Sequence, residues 1–262
     1  MIGTSRILLG FFSIAFPLAL SPNLVSQTKS ADSFDAPLQK KVLDFGPSPY
    51  SRGGKVRVKL SCYFYPTLMV KEYDEGEEGA EWLAIVPASK GAVPTCTKHA
   101  AAGERRIDSG EWCGYFKGTK GNLVFMDAAD GANGGLPFVV YDSTTGKKIF
   151  EDSAYDSRMW SGKAEDSPFN RLRISSARDG RTLLRYLRVV ATDCDLHLEK
   201  TSCWERTKKN LDLKGVELPV CSGYKATSGR VASALAYPVE VFLLPQPTIK
   251  VIAGAVRCWP VD

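Results

Sequence analysis

The chain has 262 residues, 44% of them hydrophobic and 24% charged, which excludes a disordered or collagen-like protein and leaves room for one large β domain or two small domains. A formal net charge of +5 is too slight an excess for a dedicated nucleic-acid binder. Composition therefore bounds the class and leaves the activity to particular residues.

At the start of the chain Arg6 precedes an almost wholly apolar run from Ile7 to Leu20, the charged and apolar regions of a secretory signal. Fourteen helical residues reach only about 21 Å against a hydrocarbon core of roughly 30 Å. Cleavage after Ser26 or Gln27 is therefore expected, giving residues 1–26 as signal peptide and a secreted or periplasmic mature chain. Residues 27–54 are polar and turn-rich, with one apolar island from Val42 to Phe45, and read as an extended lead-in to a single disulfide-bonded domain over 55–262.

Short apolar runs bounded by Gly, Pro, Asp and Ser then follow at 55–65, 68–73, 82–87, 112–117, 122–127, 137–142, 147–151, 171–176, 182–191, 238–244 and 248–258. This spacing predicts an all-β, mainly antiparallel sandwich or barrel with at most one or two short helices. The strand-turn-strand of residues 139–150 occurs once, which excludes a propeller. The best helix candidate is Thr201–Leu211, where Ser202 and Glu205 have capping-box spacing.

The loop from Met126 to Leu136 gathers Asp127, Asp130 and Asn133 among glycines, oxygen donors of the kind calcium takes. No other cofactor is expected. Zinc is disfavoured, since no two cysteines are spaced C-x-x-C and the two histidines, His99 and His197, lie in different regions. Seven cysteines in an oxidising compartment predict three bridges and one thiol. The expected pairs are Cys96 with Cys113, Cys194 with Cys203, and Cys221 with Cys258. Cys62, on the alternating apolar face of Val56, Val58, Leu60 and Phe64, is the expected free, buried thiol.

The clearest asymmetry of charge lies around Asp179-Gly180. A two-residue turn at this pair sets Arg171 opposite Arg188 and Arg173 opposite Tyr186, all on one side of the sheet. Like charges directly opposite are unfavourable unless water or an anion compensates them. Arg171, Arg173, Tyr186 and Arg188 are therefore the candidate ligand-binding residues, and their chemistry suits an acidic partner.

Catalytic signatures are sparse. There is no G-x-S-x-G, phosphate-binding loop or dinucleotide fingerprint. Ser222 and Lys225 match S-x-x-K without its companion elements. The acids Glu72, Asp74, Glu75, Glu77, Glu78 and Glu81 read as a solvated connection, and Glu111 beside Trp112 is the best single acid, because an adjacent indole would raise its pKa by desolvation. Trp160 is the tryptophan most expected at the surface. The expectation is a non-catalytic binding protein recognising an anionic envelope polymer or an extracellular protein, with no nucleic acid and no membrane attachment after cleavage. The competing class is a secreted hydrolase of carbohydrate or ester whose site is assembled from distant loops; a third is a structural envelope component.

Overall fold

A computed structural model describes residues 33–51, 53–88, 93–157, 172–177, 179–224 and 231–261. The signal segment, Trp160, Arg171 and Lys225 lie outside the described residues. The class is all-β, and every strand pairing is antiparallel.

The first sheet is a five-stranded meander of β1 (Gln39–Pro47), β2 (Arg57–Phe64), β3 (Leu68–Asp74), β4 (Trp82–Pro87) and β5 (Arg105–Asp108), in chain order. β1 comes from the expected lead-in. It pairs with β2 from Gln39 opposite Phe64 to Asp44 opposite Lys59, and because it is an edge strand with almost no buried side chain it carries no apolar alternation.

The second sheet contains β6 (Gly114–Lys120), β7 (Leu123–Ala128), β8 (Gly135–Asp142), β9 (Lys147–Tyr155), β10 (Arg173–Ser176), β11 (Thr182–Ala191), β12 (Ser233–Phe242), β13 (Thr248–Val251) and β14 (Arg257–Pro260). Its spine runs β13-β12-β11-β9-β8-β7-β6, with β10 added to β11 and β14 to β12. Two short helices, α1 (Leu196–Glu199) and α2 (Thr201–Asn210), connect β11 to β12. The side chain that caps the first is Asp195, which accepts the backbone N–H groups of His197 and Leu198.

The two-residue period of a strand divides the core. On β7, Val124 and Met126 pack with Leu68, Val70, Leu83 and Ile85 of the first sheet, whereas Leu123 and Phe125 turn to the other side. There they join Leu184, Tyr186, Tyr237 and Val239 and the helical residues Cys203 and Trp204. The outer face of the first sheet is closed by the chain around Cys96 and Ala101.

Three disulfides join Cys62 to Cys96, Cys194 to Cys203 and Cys221 to Cys258, the pattern of an oxidising, extracellular environment. The last two are the expected pairs. The first corrects the expectation for Cys96 and Cys113, since Cys113 is the free and exposed cysteine. Cys62 does share the buried face of β2 with Val58, Leu60 and Phe64, but Cys96 folds back over that face and bonds it. The same closure buries an ion pair. Lys71 Nζ, on β3, donates to Glu104 at 2.8 Å and to the His99 carbonyl at 2.9 Å, with both charged side chains almost fully enclosed. Among the described residues no helix is long and apolar enough to cross a membrane.

Candidate functional site

The hairpin of β10 and β11 fixes where the predicted arginines point. Ala177 N–H donates to the Arg181 carbonyl, so Ala177 pairs with Arg181 and the register is not that of a two-residue turn at Asp179-Gly180. Of Asp179 and Gly180 only Gly180 takes a positive φ, +82°, whereas the two-residue type I′ turn needs positive φ at both central positions. The pairing therefore sets Arg173 opposite Arg185 and Ile174 opposite Leu184. A one-residue slip moves a side chain to the other face. Arg173 thus does not face Tyr186, and it lies on the sheet face opposite to Tyr186 and Arg188. The like-charge pair here is Arg173 with Arg185, not the expected Arg171 with Arg188, and on the outer face Glu240 of β12 compensates Arg185 at 2.7 Å.

Tyr186 and Arg188, two residues apart on β11, do share a face, and they meet Asp152 of β9 there. The Tyr186 hydroxyl donates to Asp152 Oδ2 at 2.5 Å and Arg188 Nε to Asp152 Oδ1 at 2.9 Å. The Ser153 N–H supplies a further donor to the same carboxylate at 2.9 Å. Burial, and then the Asp152 charge, push the Tyr186 phenol far above its ordinary range, so it stays a donor. Burial works against the Arg188 charge, but the Asp152 carboxylate outweighs it and raises the guanidinium's pKa. Arg188 Nη1 reaches the Tyr237 hydroxyl at 3.4 Å. Burial raises the Tyr237 pKa as well, while the nearby Arg188 charge opposes that rise.

Arg188 and Tyr237 line a cleft of about 840 Å³. Its walls come from residues 211–219, after α2, and residues 249–256, which include the outer half of β13. Val216, Leu218, Ile249, Val251 and Val256 give them apolar stretches, Asp212, Lys214, Glu217 and Lys250 give them charged ones, and Arg188 reaches the space from β11. Its side chain is 27% exposed. Nε and Nη1 are engaged with Asp152 and Tyr237, and Nη2 has no protein partner among the described residues. A guanidinium held from behind by a carboxylate, with its other edge open, is preorganised for a planar anion. Tyr237, because its oxygen accepts from Arg188, keeps its own proton for an incoming acceptor.

The calcium candidates are engaged in other contacts. Asp127, near the end of β7, forms an ion pair with Lys117, Asp130 accepts the Gly131 N–H at 2.7 Å, and the Asn133 carbonyl accepts the Trp259 indole at 3.2 Å. Among the described residues no group of three or more His, Cys, Asp or Glu is placed to hold a metal. Glu111 reverses its expected shift. Desolvation does raise its pKa, but Arg105, at 2.6 Å, and the Tyr141 hydroxyl, at 2.9 Å, more than offset this, and the carboxyl sits below its usual range. Burial raises the pKa of Glu72 and of Glu81; Glu72 accepts the Phe116 N–H of β6 at 2.7 Å and so ties the two sheets together.

Sequence reasoning reached Arg188 and Tyr186 and missed Asp152, Tyr237 and both cleft walls. Asp152 and Tyr237 stand 36 and 49 residues from Arg188 along the chain, so only strand pairing brings them together. No family model, curated protein or solved structure matches this chain.

Proposed function

We propose that the protein is a non-catalytic binding protein of the secreted or periplasmic space that recognises an acidic ligand, an envelope polymer or an extracellular protein, in the cleft over Arg188. The observation that carries this reading is the open Nη2 edge of a guanidinium that is fixed by Asp152 and borders the cleft. A charge held in place from below meets an anion without first being ordered, which favours binding over a mobile surface cation. Acidic ligands recognised in this way bind less tightly as salt screens the approach, over a Debye length of about 8 Å at physiological ionic strength. The predicted signal segment and the three disulfides support the compartment.

Calorimetric titration with decanoate and with poly-L-glutamate tests the reading. Saturable binding of either carboxylate that weakens with salt and weakens again in Tyr237→Phe supports it. Binding of neither, or binding indifferent to Tyr237→Phe, overturns it.

A further inference from the structure

The first sheet ends in a strand with one open edge. Among the described residues β1 pairs on one side only, with β2. The Tyr65 N–H donates to the Leu68 carbonyl, and these two residues continue the register of β2 with β3. Bonded pairs alternate along an antiparallel ladder, so the odd-numbered residues of β2 bond toward β3 and the even-numbered ones toward β1. The Leu38 N–H on the Phe64 carbonyl and the Ser48 N–H on the Val56 carbonyl agree with this. Opposite the even residues, Gln39, Lys41 and Leu43 spend their backbone groups on β2. The N–H and C=O of Lys40, Val42 and Asp44 therefore turn outward, and no partner for them exists among the described residues.

The side chains along this edge decide which strand it accepts. Leu38, Val42 and Phe45 are large apolar residues at the surface, Val42 being 47% exposed. Lys40 and Lys41 are charges of the kind that blunt an open edge against arbitrary strands. A second copy of β1, running antiparallel, can bring the outward backbone groups of both strands together in a few registers. Those centred on Lys40, Lys41 or Asp44 set a like charge opposite itself, and the one centred on Leu43 leaves both lysines without an acid opposite. The register centred on Val42 sets Lys40 of each copy opposite Asp44 of the other, on the same face of the sheet, with Lys41 opposite Leu43. Lys40 lies over the Tyr63 ring and forms no ion pair among the described residues. Asp44 accepts Arg57 and at 46% exposure is open to a second cation.

We propose that the protein associates with a second copy of itself through β1, the two strands running antiparallel about a two-fold axis at Val42 so that the five-stranded sheets of both copies become one. Lys40 with Asp44, Val42 with Val42 and Asp44 with Lys40 are then the bonded pairs, each exchanging two main-chain hydrogen bonds. Two reciprocal ion pairs flank the apolar centre. The contact uses the same patch on both copies and closes on itself, so it gives a dimer and does not propagate. It lies on the first sheet, apart from Arg188 on the second, and does not depend on the acidic-ligand reading.

Sedimentation velocity over a concentration series measures the association. The oxidised mature chain carries Cys113→Ser throughout, so that a disulfide between exposed cysteines cannot be its cause. Lys40→Glu and Asp44→Lys each set like charges opposite one another at both ion pairs, and each alone should raise the dimer dissociation constant about tenfold. Mixed in equal amounts, the two variants face acid with lysine at both places and should associate as tightly as the parent. Val42→Pro removes an outward N–H and leaves the bonds to β2 in place, a position where edge strands tolerate proline. It should weaken the dimer about tenfold, while Val42→Thr, which keeps the N–H, should not.

A chain that stays monomeric at every concentration overturns the proposal. So does a dimer indifferent to Lys40→Glu or to Val42→Pro, which would rest on another surface, and so does a mixture that associates no more tightly than either variant alone. Should Asp44→Lys fail to fold for want of its Arg57 pair, Lys40→Glu and Val42→Pro decide between them, since neither breaks an ion pair within the chain.

Discussion

Replacing Lys71 with methionine removes the ammonium that faces Glu104 and leaves a carboxylate enclosed between β3 and the chain that carries Cys96. The side chains of the pair are 0% and 4% exposed, so water cannot take over the missing contact. Glu104 keeps the Ala101 N–H at 2.8 Å, one donor for a group that accepts several. Breaking a buried pair from one side costs about 3–5 kcal/mol, a large part of the roughly 5–15 kcal/mol that holds a typical domain together. With a urea dependence of about 2–3 kcal/mol per molar, the unfolding midpoint should drop by about 1–2 M. Adding Glu104→Gln removes the stranded charge, and the double variant should recover most of the loss. Urea titration followed by tryptophan fluorescence, with the disulfides intact, measures both. A shift below about 0.5 M for Lys71→Met, or a double variant less stable than the single one, would refute the claim that this ion pair is desolvated.

Cys113 should be the one cysteine that iodoacetamide labels in the unreduced protein, and mass spectrometry should find Cys62 linked to Cys96. Replacing both Cys62 and Cys96 with serine opens a loop of 34-residue separation and should cost about 4 kcal/mol in the chain-entropy picture; a loss under about 1 kcal/mol would show that the closure is held by packing alone. Glu72 has a folded pKa raised above 4.5, chiefly by burial, so the folded state binds its proton more tightly than the unfolded chain. Its contribution to stability is present at low pH and is lost as pH rises from the unfolded value through the folded one. Glu72→Gln, which still accepts the Phe116 N–H, should raise Tm by about 2 °C at neutral pH and flatten the pH dependence above 4.5; a lower Tm at pH 7 would contradict this.

How far the sequence could be read depended on whether local pattern or distant pairing decides each feature. The buried face of β2 is legible because Val58, Leu60, Cys62 and Phe64 alternate without a break, and β11 because its apolar run is long. β1 is hidden, since an exposed edge strand needs no apolar residues, and β5 because the four residues of Arg105–Asp108 bury only Ile107. The register of the Asp179-Gly180 hairpin turns on one residue of loop length. Both readings place Gly180 in the turn, and the Ala177–Arg181 hydrogen bond and the backbone dihedrals decide between them. The site was half legible for the same reason. Arg188 stands out as charge on an apolar strand, while its meaning comes from Asp152 and Tyr237 on strands that composition cannot pair.

The central claim is that an acidic ligand binds at Arg188 rather than at the outer-face arginines. Titrating decanoate into ¹⁵N-labelled protein and following backbone amides together with the Arg188 Nε–H tests it most directly. The account predicts saturable shifts of Arg188 Nε–H and of residues 211–219 and 249–256, diminished by salt and by Tyr237→Phe. Shifts confined to Arg173, Arg185 and their neighbours on the outer face, or an Arg188 resonance that stays still through the titration, would contradict it.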